Sequence, residues 1–441
     1  MNITFISLGC AKNLVDSEYI LGLLRQDQNI KIIDSIEDSN AIFINTCGFI
    51  ESAKKEAIDT IFSVVSNKPK DAYLIVVGCL AQRYKKQLSE LIPEIDLIVS
   101  IDEYGNIGTL LNDLFHTKFP KTFDMLKRSL TNPLPVAYLK IGEGCSNRCA
   151  YCAIPIIRHD YYSYPKETIL EDAKRLIKLG KKEIIVIAQD PTRYGKDLYD
   201  DYGIEKLMED LAKLDNSVYF RVLYLYPDRI SGKLIQVFKE NDNIINYFDI
   251  PIQHSSDRML KKMKRSGTKK KYLTVINKIK NEIPGAILRT TLITGFPGET
   301  IEDFNDLLDF IKLVRFDHLG VFAFSDEEDT KAHYMKNKID IKTATNREKK
   351  AMAIQRKISK ELNENRIGQI HKVLIEDYNG TYYIGRSYLY AHDADDGCIY
   401  VQSDKELIIG EFVNVEIIKA LDYDLIAKVL DGETNGLYLQ N

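Results

Sequence analysis

Gly144-Cys145-Ser146-Asn147-Arg148-Cys149-Ala150-Tyr151-Cys152 sets three cysteines in a C-x3-C-x2-C spacing, directly after the apolar run Val136 to Ile141. Three thiolates on so short a loop suit three corners of an iron–sulfur cube. A cube has four irons, so one is left for a ligand that the protein does not supply. Structural zinc is the rival, but it takes four closed ligands, and no histidine stands at finger spacing nearby. Cysteines that only pack a core are the plain alternative, and such clustering seldom arises without a metal.

The 441 residues imply two to four domains. A hydrophobic content of 45% and a charged content of 28% are those of an ordinary soluble globular protein. The net charge of −4 makes no general case for nucleic acid binding, although local charge still matters. No apolar run reaches the length of a membrane span, and Met1 to Ser7 lacks the basic start of a signal peptide. Seven cysteines in a chain this long argue for metal or redox work, not a disulfide framework, and the expected compartment is the cytoplasm.

Outward from the cysteine loop, the first third alternates short apolar runs with helical patterns. Asn2 to Leu8, Ala41 to Asn45 and Tyr73 to Val77 read as strands, and Asp16 or Ser17 is the expected cap of the first helix. Continuous apolar strands separated by helices imply a parallel sheet covered on both faces. Cys10, Cys47 and Cys79 each follow one of these strands. Ligands of an open parallel sheet collect beyond the carboxyl ends of its strands. If the three strands are neighbours, their loops converge, and the three thiolates make a second cluster site with one open iron. Buried structural cysteine is the alternative for any one of them.

His116 to Pro135, with three prolines, reads as a linker. A second alternation then supplies six βα units, with strands expected at Val136–Ile141, Ile184–Ala188, Tyr219–Leu225, Tyr247–Ile252, Ile287–Ile293 and Leu319–Phe324. Six units make a partial barrel, whose chemistry gathers at the carboxyl ends of its strands. The rim positions Gln189 and Asp190, and the turn carrying Gly295, Pro297, Gly298 and Glu299, are the candidate cofactor contacts. His254 reads as structural. Asp340 to Asn365 reads as a solvated helical connector, and five short strands beyond it suggest a small antiparallel barrel of the OB type. From Arg366 to Asn441, six basic residues face thirteen acidic ones, a net of −7. An RNA-binding barrel should be basic, so this one favours a basic protein partner. Cys398 stands alone and reads as structural.

Taken together, these motifs resemble the radical S-adenosylmethionine (SAM) methylthiotransferases. Ser7-Leu8-Gly9-Cys10-Ala11-Lys12-Asn13-Leu14-Val15-Asp16-Ser17-Glu18 is similar to the signature of the branch that modifies an aspartate of ribosomal protein uS12. Asn45-Thr46-Cys47-Gly48-Phe49-Ile50, Ala188-Gln189-Asp190, Asp249-Ile250-Pro251-Ile252-Gln253-His254 and Gly385-Arg386-Ser387 resemble the same branch. The resemblance implies an α/β fold in three parts. These are an N-terminal domain with an auxiliary cluster (1–116), a radical SAM core with a partial (βα)6 barrel (131–365) and a TRAM barrel (366–441). It implies two [4Fe–4S] clusters, one on Cys10, Cys47 and Cys79 and one on Cys145, Cys149 and Cys152. SAM would be cleaved to a radical that abstracts hydrogen from the aspartate β-carbon, and a methylthio group would then be delivered. The partners implied are uS12, free or in the small subunit, and an electron donor such as flavodoxin, with no membrane and with nucleic acid not the modified substrate.

Departures from the family pattern fall at His159, where glycine is usual, at Tyr164, near an expected arginine, and at Pro191, where threonine is usual. Tyr390 and His392 stand where aspartate and proline are usual. The alternatives are the sister branch acting on isopentenylated adenosine in tRNA, a non-catalytic iron–sulfur carrier, and a zinc-bound nucleic-acid adaptor. If the acidic barrel steers docking, neutralising Asp393, Asp395 and Asp396 should slow modification most at low salt.

Overall fold

The computed structural model describes residues 1–132, 135–392 and 396–430. The chain divides into two compact units, one formed by Met1–Thr131, Glu143–Asp172 and Ser325–His333, the other by Asn132–Gly142, Ala173–Phe324 and Tyr334–Asn441.

The first unit is built on five parallel strands in the order Lys31–Ile32, Asn2–Ser7, Ala41–Thr46, Tyr73–Gly78 and Leu97–Val99. Ala41–Thr46 is buried along its whole length, as an unbroken apolar strand with both faces covered must be. One face packs Phe43, Ile75 and Val77 against Ile20, Leu23 and Leu24, and the other packs Ile42, Ile44 and Val76 against Ala57 and Ile61. The first helix runs Ala11–Leu24 with Cys10 at its N-cap, so neither Asp16 nor Ser17 caps it. Both lie inside the helix and are buried. The Ser17 hydroxyl accepts from Asn45 Nδ2 at 2.8 Å, so this polar stripe ties helix to sheet.

The expected linker is packed, not free. Phe119 joins the core, and Arg128 is buried between Glu18 at 2.9 Å and Asp172 at 3.0 Å.

The second unit carries the six expected strands as two parallel three-stranded sheets. Val136–Lys140, Glu183–Ile187 and Tyr219–Val222 form one, and Tyr247–Asp249, Ile287–Thr294 and His318–Ala323 form the other. The fourth strand stops at Asp249, two residues before Pro251, which has no N–H for the ladder. The helical pattern after it divides into Asp257–Lys262 and Lys269–Glu282, with Lys264 between them at φ +56°.

The helix Ile341–Glu364 is no free connector. It buries Ala344, Ala351, Gln355 and Ile358, and Gln355 donates to the Phe316 carbonyl at 2.7 Å. The closing barrel runs Ile370–Tyr378, Tyr383–Arg386, Ile399–Gln402, Leu425–Val429 and Phe412–Ala420 in spatial order. Ile399–Gln402 and Leu425–Val429 pair in parallel, and the other pairings are antiparallel. Within this unit, buried charges fasten the barrel down. Arg386 meets Glu183 at 2.9 Å and Glu376 at 2.7 Å, while Asp396 meets Arg289 at 3.0 Å and accepts from Tyr247.

Candidate iron–sulfur and cofactor site

The strands that precede Cys10, Cys47 and Cys79 are adjacent and parallel, so all three cysteines leave the same edge of the sheet. Cys10 and Cys79 each open a helix, a setting that favours thiolate. The approach is close: a Cβ on Gly9 would fall 2.8 Å from Cys47 Cβ and 3.3 Å from its Sγ, and Gly9 itself sits at φ +88°. The three thiols also feel one another. Burial pushes the Cys47 thiol up to about 12, with Cys79 and Cys10 adding to the rise against the Phe49 N–H. Burial likewise raises Cys79, opposed by Arg158. At Cys10 desolvation is outweighed by Lys12, Arg158 and two backbone N–H groups, and the thiol is lowered. Sulfurs that raise one another's pKa are those a bound cation would deprotonate. This donor set fits an iron–sulfur cube. Among the described residues no three His, Cys, Asp or Glu side chains close on a point as one bare ion requires. The ligands of a cube are farther apart, one on each iron.

Arg158, whose role the sequence did not reveal, is the hub of this unit. It is 3% exposed. Its guanidinium meets Glu143 at 2.7 Å, Asp16 at 2.8 Å, Asn13 Oδ1 at 2.6 Å and Cys79 Sγ at 3.4 Å. Arg83 was also missed. It donates to the Gly48 carbonyl and to Glu327, both at 2.8 Å, and so holds the turn after Cys47. No local motif reports either role, because the partners lie far along the chain.

The Cys145–Cys152 loop belongs to the same compact unit. Gly144 has φ +75°, and a Cβ there would fall 2.3 Å from the Asp160 carbonyl oxygen and 2.6 Å from that of Arg158. The Cys145 N–H donates to the His159 carbonyl at 3.0 Å, and the Cys152 N–H to that of Cys149 at 3.1 Å. Asn147 Nδ2 donates to Cys145 Sγ at 3.4 Å. Ala153 and Ile157, just past the loop, pack on Cys79 with Phe49 and Ile101. His159 sits at φ +60°, which accounts for the usual glycine, and its ring meets Asp102 at 2.6 Å.

In the second unit the candidate cofactor residues divide. Gln189 is half-buried at the end of its strand. Asp190 is fully buried and is taken up by Arg229 at 2.7 Å, Arg193 at 3.4 Å and the Thr192 hydroxyl. Glu299 is 3% exposed, accepts from the Gly295 N–H at 2.9 Å and meets Arg347 and His254. Both carboxylates are thus held by side chains of their own unit at the strand-end positions expected of cofactor contacts.

His254 is buried and structural. Its Nδ1 accepts from the Ser256 N–H at 3.0 Å, which leaves Nε2 to donate to Glu299. Gly295, at φ +75°, packs on Ala344, whose Cβ a side chain there would meet at 2.3 Å. Pro297 and Gly298 form the turn between, with Gly298 at φ +81°.

Three family models match the chain: Radical SAM superfamily over residues 139–311, Uncharacterized protein family UPF0004 over 2–100, and TRAM domain over 367–430. Among solved structures, the radical S-adenosylmethionine methyltransferase TsrM from Kitasatospora setae is 10% identical, with a TM-score of 0.55. That match covers 73% of this chain and 72% of that one. The cobalamin-dependent S-adenosylmethionine radical enzyme OxsB is 13% identical with a TM-score of 0.52, over 80% of this chain and 56% of that one. Both show likeness of fold alone.

Sequence relatives are much nearer. The ribosomal protein uS12 methylthiotransferase RimO of Alkaliphilus oremlandii is 49% identical over 97% of this chain and 99% of its own length. The RimO of Clostridioides difficile is 48% identical over 98% of this chain and 99% of its own. At that identity, sustained over nearly the whole length of both chains, this protein belongs to the ribosomal protein uS12 methylthiotransferase family.

Proposed function

We infer that the chain is a radical SAM enzyme that places a methylthio group on the β-carbon of an aspartate of ribosomal protein uS12. The observation that carries this reading is the gathering of Cys10, Cys47 and Cys79 beyond three adjacent parallel strands, in the unit that also holds the Cys145–Cys152 loop. Each triad is proposed to hold one [4Fe–4S] cluster. When bound, SAM and the clusters supply the carbon radical and the sulfur, the chemistry that no side chain provides.

What the chain's own residues contribute is position. Gly144 lets the loop fold tightly against the backbone at Arg158 and Asp160. Arg158 holds the Asn13–Asp16 turn and Cys79 together. Gln189, Asp190 and the turn carrying Gly295, Pro297, Gly298 and Glu299 are proposed to face SAM, the two carboxylates being held in place by their arginine partners. The functional division follows 1–116, 131–365 and 366–441, with an electron donor such as flavodoxin and a cytoplasmic setting.

Mass spectrometry of uS12 from cells lacking the gene tests the reading: the methylthio mark should be absent and return with the gene. Iron analysis tests the sites. Replacing Cys10, Cys47 and Cys79 together with alanine should halve the iron and leave reductive SAM cleavage intact. Replacing Cys145, Cys149 and Cys152 should halve the iron and abolish cleavage. Full iron in the first variant would refute the N-terminal site, and turnover of isopentenyl-adenosine tRNA with none of uS12 would promote the sister branch.

A further inference from the structure

Between Asp257 and Glu282 the chain carries ten basic residues against those two acidic ones, a net of +8 in a protein of net −4. The segment is a folded surface. The N–H of Lys269 donates to the Asp257 carboxylate at 2.7 Å, bringing the start of the second helix back to the start of the first. Three of the charges are spoken for: Arg258 pairs with Asp303, Lys269 with Asp306 and Lys278 with Glu282. Lys261, Lys264, Lys270 and Lys271 are exposed. Among the described residues these four make no ion pair.

Lys269, Lys270 and Lys271 fill the first turn of a 14-residue helix that has no acidic residue there. A helix dipole disfavours cations at that end. The Thr268 hydroxyl already accepts the Lys271 N–H at 3.2 Å, so the backbone is capped and the free charge is on the ammonium groups. The face also adjoins the Gly295–Glu299 turn. Arg258 donates to the Gly298 carbonyl at 2.8 Å, and Lys262 Nζ would lie 2.3 Å from a Cβ on Gly298.

We propose that this basic face grips the phosphate backbone of ribosomal RNA beside the target aspartate, so that the substrate is the assembled small subunit and not free uS12. The inference rests on the reading of the chain as a uS12-modifying enzyme. Lysines are point charges that hold phosphate without reading sequence. The aromatic residue of the segment, Tyr272, is 1% exposed, so nothing here stacks on bases. A basic ribosomal protein alone would be repelled by this face.

The test is the variant Lys261→Gln, Lys264→Gln, Lys270→Gln, Lys271→Gln, with binding to small subunits measured across a potassium chloride series. Each phosphate contact contributes roughly 0.7 to 0.9 to the slope of log K against log salt. The wild type should therefore lose on the order of 100-fold more affinity than the variant between about 50 and 200 mM salt, if all four contacts form. The matching Lys→Arg variant should keep the wild-type slope, and both variants should cleave SAM as the wild type does. An unchanged slope in the glutamine variant overturns the proposal, as does an equal loss of binding to free uS12. Because binding is read directly, the outcome stands apart from whether uS12 is the modified protein. Failure to modify uS12 in either form would fall on the proposed function instead.

Discussion

Replacing Arg158 with methionine removes one cation and strands two buried carboxylates. Asp16 lies 2.8 Å and Glu143 2.7 Å from the guanidinium, and both are under a tenth exposed. Removing one partner of a buried ion pair costs about 3–5 kcal/mol, because the remaining charge keeps its desolvation penalty. The same change deletes the N–H bonds to Asn13 and Cys79, so the upper part of that range applies. A loss of ~4 kcal/mol is roughly a thousandfold in the folding equilibrium. Urea unfolding of the full-length, cluster-free protein would read it as a lower midpoint at unchanged slope. Arg158→Lys should recover only part, since an ammonium cannot span four partners as the planar fork does. Adding Asp16→Asn to Arg158→Met should restore some stability by removing a stranded charge. A loss under about 1 kcal/mol in Arg158→Met, the range of an exposed pair, would refute the reasoning.

Three further outcomes follow from other parts of the molecule. Gly144→Ala should cost the Cys145–Cys152 loop its cluster and so lower total iron to about half, because the new Cβ meets two carbonyl oxygens; full iron would show that the loop yields. Burial, with Arg366 nearby, holds His371 down to about 4, so it is neutral in the fold while its unfolded value is near 6.5. Its contribution is therefore complete above about pH 6.5 and is lost as pH falls to about 4, a decline of up to ~3 kcal/mol that His371→Leu should flatten in pH-dependent unfolding. Finally, steering by the barrel must use acids that face water. Asp396 is buried against Arg289 and Tyr247, so neutralising it tests stability, and Asp393 and Asp395 lie outside the described residues. Asp377, Asp404, Glu406, Glu411 and Glu416 are exposed, and their joint replacement by amides should slow uS12 modification most at low salt.

The parts of this fold that chemistry repeats locally were legible in the sequence. Strand runs such as Ala41–Thr46, the six βα units and the cysteine spacings all follow from period and ligand count. The charge partners were not. Asp190 and Glu299 read as rim positions, but the sequence did not show that Arg229, Arg347 and His254 come from elsewhere in the chain to hold them. Asp16 read as a helix cap, yet the backbone turns into helix straight after Cys10, leaving Asp16 for a guanidinium 142 positions away. Arg386 is similar: the motif was recognisable, but its task of tying the barrel to Glu183 depends on tertiary pairing.

The first unit is assembled from three stretches of chain, the last of them Ser325–His333, where Glu327 completes the pairs of Arg83 and Lys54. On a translating ribosome, therefore, this unit cannot close when residue 131 emerges. It must wait for about 200 more residues, roughly 10 to 40 s at common elongation rates. During that interval the N-terminal sheet exists without Glu327 to neutralise Arg83 and Lys54. The nascent chain thus exposes its cysteine-bearing edge before the loop that finishes it is made, and a truncation before residue 325 leaves it in that state for good. Stable closure of the cysteine-bearing edge accordingly requires that the last segment, Ser325–His333, has docked.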